Sequence, residues 1–120
     1  AEGQAALARR DFAAAETAAR EVVASREATR QVDGNILLGD AMLGQRKFAE
    51  AAVAYDDALR RNRQGSRAPE AMIGIANALA GLGNTRDACA QLSDLRGSFP
   101  NLSGPVADRA AEARRRAGCR

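Results

Sequence analysis

The feature that most constrains this chain of 120 residues is an internal repeat. Residues 37–63 (LLGDAMLGQRKFAEAAVAYDDALRRNR) and residues 74–100 (GIANALAGLGNTRDACAQLSDLRGSFP) align without a gap, 37 positions apart. Large residues lie opposite large ones and small residues opposite small ones, as Tyr55 opposite Leu92 shows. A repeat of this length predicts structural units that stack and bury their apolar faces against one another.

Each copy contains two amphipathic helices joined by a short turn. Apolar residues follow Phe48 at intervals of three and four positions, which is the spacing of one helical face. The turns fall at residues 44–47 and 81–84, where glycine is expected to supply the left-handed residue that ends a helix. A weaker copy precedes these two, with Phe12 in the place of Phe48. The predicted helices lie near residues 1–9, 12–26, 32–44, 48–62, 69–81, 85–98 and 105–118.

Composition agrees with a helical fold, because alanine is abundant whereas β-branched and aromatic residues are scarce. There are three Phe, one Tyr and no Trp, so close packing has to come from small side chains. We therefore predict an all-α fold in one domain over residues 1–120, a right-handed superhelix of about three helical hairpins. The expected repeats are residues 1–31, 32–67 and 68–102, followed by a capping helix at 105–118.

Catalysis finds little support in the sequence. The chain has no His, which removes the commonest general base and a common metal ligand. Two cysteines without His make no convincing zinc site, and no Walker-type phosphate loop is present. The net charge of +3 raises nucleic acid as a partner, but 15 acidic residues are scattered among the 18 basic ones. We expect no enzyme, no metal, no cofactor and no membrane span, with nucleic-acid binding as a minor alternative.

Several charged clusters are predicted to be solvated surface. The adjacent carboxyls of Asp56 and Asp57 point about 100° apart on a helix, so they do not flank one bond. Basic residues near helix C-termini favour the helix dipole, although they can also attract an acidic partner or lipid headgroups. This applies to Arg60, Arg61, Arg63, Arg67, Arg114, Arg115, Arg116 and Arg120.

The two cysteines, Cys89 and Cys119, leave two readings open. If the last two predicted helices are antiparallel neighbours, the two residues lie about equally far from the loop between them. That placement permits a disulfide, provided that the Cα atoms come close enough. The alternative is one buried small apolar Cys and one free thiol near the end of the chain.

The repeats resemble the tetratricopeptide repeat. Its mark is a small residue in the first helix, followed by Ala, an aromatic residue and Ala in the second. Gly39, Ala51, Tyr55 and Ala58 fit this pattern, and Pro100 takes the place of the usual closing proline. The resemblance implies a superhelical protein-interaction module without catalytic activity.

A narrower resemblance rests on five short runs: Ala68-Pro-Glu-Ala-Met, Leu82-Gly, Asp87-Ala-Cys-Ala, Ser98-Phe-Pro and a terminal Arg-Ala-Gly-Cys. These runs are similar to the C-terminal domain of the CpoB family, also called YbgF, in the form found in α-proteobacteria. The members of this family are periplasmic proteins of the Tol-Pal system. The resemblance implies binding to TolA, with a peptidoglycan synthase as a second candidate partner. It implies a role in coordinating peptidoglycan synthesis with outer-membrane constriction during cell division. It also implies trimerisation through an N-terminal coiled coil, whereas this stretch alone is expected to be a monomer. The alternative is a peptide-binding adaptor of another bacterial envelope assembly pathway.

The first helix of each hairpin is expected to line a concave surface that binds a partner peptide. Asn77 offers both a donor and an acceptor to a peptide backbone. Ile36 and Ile73 stand where a carboxylate clamp for chaperone tails would need Lys or Arg, so that class of ligand is not expected. Ordinary exposed surface stays open as the alternative. The candidate residues are Asp33, Ile36, Asp40, Leu43, Glu70, Ile73, Asn77 and Ala80.

Overall fold

The computed structural model describes residues 2–25 and 27–120, and every regular element within them is a helix. This confirms the all-α prediction, although the predicted helix limits at residues 1 and 26 lie outside the described residues. The helices are α1 (Glu2–Ala8), α2 (Phe12–Val23), α3 (Ala28–Gly44), α4 (Phe48–Arg61), α5 (Ala68–Gly81), α6 (Thr85–Ser98) and α7 (Gly104–Ala117).

The start of α3 is the largest departure from the predicted helix limits. It begins at Ala28, four residues before the predicted start at 32, directly after the extended backbone of Glu27. The Nε2 group of Gln31 donates a hydrogen bond of 2.6 Å to the carbonyl oxygen of Ser25. This bond ties the first turn of α3 to the end of the preceding loop.

The seven helices of the described chain form three hairpins and a cap. The second helix of each hairpin packs against the first helix of the same hairpin. Two of these second helices, α2 and α4, also pack against the first helix of the next hairpin, α3 and α5 respectively. The first helices contact one another in the order α1, α3, α5, and α7 continues this row by packing on α5. Four roughly parallel helices therefore lie side by side along one face. None of the described helices is both long enough and apolar enough to cross a membrane.

Glycine and aromatic residues fit together between successive hairpins. The ring of Tyr55, which is 1% exposed, lies so close to α3 and α5 that added Cβ atoms would meet it. A Cβ atom added at Gly39 would lie 2.6 Å from the Tyr55 ring, and one added at Gly74 would lie 2.4 Å from it. Both distances are well below van der Waals contact. The same close approach recurs where Phe12 meets Gly44 and Phe48 meets Gly81.

The backbone of the hairpin turns differs from the prediction at one position. Gly83 has a positive φ of 83°, as expected for the turn after α5. In the turn after α3 the left-handed residue is Arg46, with φ 61°, and not Gly44. Gly44 belongs to α3, where the ring of Phe12 leaves no room for a Cβ atom. Arg10, after α1, repeats the conformation of Arg46 with the same φ of 61°.

The sulfur atoms of Cys89 and Cys119 are bonded, and the two Cα atoms are 5.5 Å apart. Cys89 lies near the start of α6, and Cys119 lies just beyond the end of α7. The structure thus shows the bonded reading of the two cysteines. The bond fastens the C-terminal end of α7 to the third hairpin.

We expect Gly74→Ala to lower the free energy of unfolding by about 1–3 kcal/mol, because the new methyl group overpacks against the Tyr55 ring. Urea unfolding followed by circular dichroism measures this. Gly97→Ala is the matched control, since nothing lies within 4 Å of its added Cβ. It should raise stability by up to about 1 kcal/mol through helix propensity. Equal stability of the two variants would contradict the packing described here.

We expect the double variant Cys89→Ser/Cys119→Ser to lose about 3–4 kcal/mol of stability, because the bond closes a long loop in the unfolded chain. Reduced wild-type protein should unfold at the same urea concentration as the double variant. Mass spectrometry after alkylation, with and without reductant, checks that the wild-type bond was present. If oxidised and reduced wild-type protein unfold together, the bond does not stabilise the fold.

Candidate functional site

The row of first helices borders a groove, called here the inner groove, with a volume of about 360 Å³. Six of the eight candidate residues line it, three from α3 and three from α5. The remaining wall comes from α1, α4 and α7. The lining residues are Gln4, Leu7, Ile36, Asp40, Leu43, Tyr55, Arg67, Glu70, Ile73, Gly74, Asn77 and Arg109.

The two isoleucines of the candidate rows are not exposed surface. Ile36 is 2% exposed and Ile73 is 4% exposed, so their side chains form the apolar base of the inner groove. They are covered because α3 packs against α4 and α5. The expectation that they point outward considered one hairpin at a time and left out this packing between hairpins. Their contribution to a ligand is therefore limited to the small area that reaches the groove.

The remaining two candidates lie beside the inner groove. The carboxylate of Asp33 pairs with the guanidinium of Arg67 at 2.8 Å. Ala80 lines a neighbouring cleft that also contains Leu43 and Asn77. Both residues therefore border the groove without lining it.

Asp40 and Tyr55 form a buried hydrogen bond at the inner groove. The Tyr55 hydroxyl donates to Oδ1 of Asp40 at 2.5 Å. Burial raises the pKa of Asp40 above its usual value, although this bond from Tyr55 favours the carboxylate. Burial also raises the pKa of Tyr55, and the neighbouring Asp40 charge adds to this. The pair links the packed interior of the fold to the surface that a ligand would meet.

Arg67 is a groove residue rather than a solvated one, so that sequence prediction was wrong. Its guanidinium donates to Asp33 at 2.8 Å and to Glu70 at 2.9 Å, and only 29% of its side chain is exposed. The hydrogen bond to Glu70 is the main cause that raises the pKa of Arg67, with Asp33 contributing. Arg67 thereby joins the start of α5 to the first turns of α3.

Asn77 carries the unpartnered polar atom of the groove. Its Oδ1 atom is buried and accepts no hydrogen bond within the described part of the chain. An acceptor left without a donor in this way costs about 1–3 kcal/mol. Asn77 lines both the inner groove and the cleft beside it, so a turn of its side-chain amide toward either would let a ligand supply the missing N–H donor.

The neighbouring cleft, called here the arginine cleft, has a volume of about 640 Å³. It lies where α3 and α5 end, and it shares Leu43 and Asn77 with the inner groove. Among the residues that the structure describes, none of those lining it is acidic. The others are Arg10, Gly44, Arg46, Phe48, Ala80, Gly81 and Arg116.

Sequence reasoning missed the groove residues that come from outside the candidate rows. Arg109 is contributed by α7 and Gln4 and Leu7 by α1, which reach the groove only because those helices extend the inner row. The repeat alignment pointed to Tyr55 as a position of the buried core, but it did not predict that Tyr55 also lines the groove. Nothing in the spacing alone identified Arg67 or Arg109.

The paired carboxyls of Asp56 and Asp57 lie away from the groove. Arg60 binds both, at 3.1 Å to Asp56 and 2.6 Å to Asp57. These are half-exposed ion pairs on the surface of α4. Among the described residues, no three His, Cys, Asp or Glu side chains come together as a metal site would require.

A family model described as "Tetratricopeptide repeat" matches residues 1–66 and, again, residues 36–103. The chain belongs to the tetratricopeptide repeat family. The two overlapping matches span all three hairpins, which agrees with a stack of repeated units. Comparison with curated proteins found no match. Tetratricopeptide repeats typically serve as non-catalytic scaffolds that bind other proteins, and the inner groove lies on the row of first helices.

The raised pKa of Asp40 predicts a pH-dependent effect of Asp40→Asn. The variant keeps an acceptor for the Tyr55 hydroxyl but removes the cost of a buried charge. It should therefore be more stable than wild type at pH 7. The difference should shrink as pH falls through the raised pKa and disappear below the unfolded-state value of about 3.9. Urea unfolding across this pH range measures it.

Glu16 provides a control of opposite sign. A hydrogen bond from Gln45 (2.8 Å) holds the pKa of Glu16 below its usual value, helped by Arg20 and Lys47 and opposed by burial. Its stabilisation is present at neutral pH and is lost as pH falls through the lowered pKa. Glu16→Gln should therefore be less stable than wild type at pH 7 and equal to it in acid. If both variants shift stability in the same direction, the assignment for Asp40 is wrong.

Proposed function

We propose that this chain binds an extended segment of a partner protein in the inner groove and catalyses no reaction. The observation that carries the proposal is the buried, unpartnered Oδ1 of Asn77 between the groove and the arginine cleft. A backbone N–H of a bound peptide would satisfy it. The apolar base at Ile36 and Ile73 suits a short apolar side chain of the same peptide.

We further propose that the partner is TolA and that the chain works in the periplasm as part of the Tol-Pal system. Its role there would be to coordinate peptidoglycan synthesis with outer-membrane constriction during cell division. The support is the CpoB-like run of residues around Cys89 and the terminal Arg-Ala-Gly-Cys. The disulfide between Cys89 and Cys119 is compatible with a periplasmic or extracellular location, because such bonds persist in oxidising compartments.

The alternative is an adaptor of another bacterial envelope assembly pathway, such as lipoprotein or pilus assembly. The inner groove would bind the partner in either pathway, so identifying the partner distinguishes the Tol-Pal proposal from this alternative. Titration of the purified chain with the periplasmic segment of TolA, followed by calorimetry, separates them. Absence of any heat or affinity would remove TolA as the partner and leave the groove open to another.

We expect Asn77→Ala to have opposite effects on folding and on binding. It removes a buried acceptor without a partner, so the free energy of unfolding should stay equal or rise by about 1 kcal/mol. Affinity for the partner segment should fall about fivefold, which corresponds to the loss of one hydrogen bond. Urea unfolding and calorimetry measure the two effects.

Gln91→Ala is the matched control for this variant. Gln91 is a partly buried amide on α6, and it lines an open cleft with α4 residues instead of the inner groove. Its replacement should leave the affinity unchanged. If Gln91→Ala weakens binding as much as Asn77→Ala does, the inner groove is not the binding surface.

A further inference from the structure

The arginine cleft gives one end of the groove a positive charge that the fold does not neutralise. Arg10 and Arg46 line it, and no carboxylate lies within 4 Å of either guanidinium in the part of the chain that the structure describes. Arg116 is the third basic residue and shares its charge with Glu112, at 2.7 Å and with both side chains 57% exposed. An exposed pair of this kind is weak, so Arg116 remains available to an anion.

Arg10 and Arg46 are built in the same way. Both follow a first helix, both have φ 61°, and each guanidinium lies over a phenylalanine ring. The distances from the guanidinium carbon to the ring centre are 5.5 Å at Phe12 and 5.4 Å at Phe48. The ring contacts hold the two charges in place, and a non-glycine residue at positive φ is unusual enough to suggest a role. In the third hairpin, Gly83 takes this position.

The opposite end of the inner groove has no comparable excess of charge. The carboxylates of Asp33 and Glu70 both pair there with Arg67, at 2.8 Å and 2.9 Å. Arg46 lies thirteen positions after Asp33, and all but the last two of these steps follow α3, which gives a separation of roughly 20 Å at the helical rise. About six residues of extended peptide span that distance.

We propose that the groove binds an extended peptide in one orientation, with carboxylates of the peptide held at the arginine cleft. This deepens the proposed function and rests on it. The buried Asn77 acceptor lies between the two ends and takes an N–H of the same peptide. The arginines come from the hairpin turns and from α7, not from the helix rows where Ile36 and Ile73 stand.

A purely structural role for these arginines makes a different prediction. Cations near a helix C-terminus stabilise the helix dipole, and α1 and α3 both end just before an arginine of this cleft. In that case neutralising them would lower stability but would not change which peptides bind. Binding and unfolding measurements on the same variants therefore separate the two explanations.

The probe is a fluorescein-labelled peptide of about eight residues, Gly-Ala-Leu-Ser-Ala-Leu-Asp-Glu with an amidated C-terminus. Fluorescence anisotropy compares it with the version ending in amidated Asn-Gln. We expect the acidic peptide to bind about tenfold more tightly, as two modest ion pairs would give. A third peptide ends in Asn-Gln with a free C-terminal carboxylate. It tests whether the carboxylate of a chain terminus can replace the acidic side chains as the anion that the cleft binds.

Arg10→Gln/Arg46→Gln should abolish the preference for the acidic peptide while urea unfolding changes little. Arg61→Gln/Arg63→Gln is the matched control, because it removes the same charge from exposed positions at and after the end of α4. It should leave the preference intact. Equal loss in both double variants would show that net charge alone acts, and the arginine cleft would be rejected.

The remaining outcomes separate this inference from the proposed function. If acidic and neutral peptides bind equally well, the inner groove still binds peptide, but the charge-based orientation is wrong. If neither peptide binds although a partner segment binds in calorimetry, the charge-based orientation fails and the proposed function stands. If neither the peptides nor the partner segment binds, both proposals fail. If oligodeoxythymidine displaces the acidic peptide at equal concentration with a steep salt dependence, the cleft binds phosphates, and a nucleic acid replaces the acidic peptide as its ligand.

Discussion

The ring of Tyr55 occupies space that a side chain at Gly39 or Gly74 would need. Because Gly39 belongs to α3 and Gly74 to α5, a single aromatic residue of α4 holds two successive hairpins at a fixed distance. The rest of the structure depends on this contact. It brings α3 and α5 close enough to share the inner groove, and it places the Tyr55 hydroxyl against Asp40. Dispersion contacts around a fully buried ring are individually weak but numerous, so the fit has to be exact in shape.

Much of the fold was predictable because its determinants are local and periodic. The spacing of apolar residues from Phe48 defines one helical face, and Pro69 and Pro100 lie where a helix starts and stops. The position of the left-handed residue in the turn was not predictable from glycine alone. The positive φ lies two residues after the end of the first helix in all three hairpins, at Arg10, Arg46 and Gly83. The geometry of the turn therefore sets this position, whether or not the residue there is a glycine.

The site was less predictable than the fold because it is assembled from five helices. Residues such as Asp40 and Asn77 follow from the repeat, since both lie at the same position of their hairpins. Arg67 and Arg109 precede or follow the repeated helices and reach the groove only through the stacking of neighbours. Burial of Ile36 has the same origin, because α4 and α5 cover it. Charge pairs across hairpins, such as Arg67 with Asp33, need tertiary distances that no spacing encodes.

The disulfide acts on α7, the helix that extends the inner row after the third hairpin. α1, α3 and α5 are each backed by the second helix of their hairpin, whereas α7 packs on α5 and α6. Yet α7 supplies Arg109 to the inner groove and Arg116 to the arginine cleft. A bond from Cys119 back to Cys89 fixes the end of α7 that carries Arg116. The covalent link therefore helps to hold in place the wall of the groove that α7 supplies.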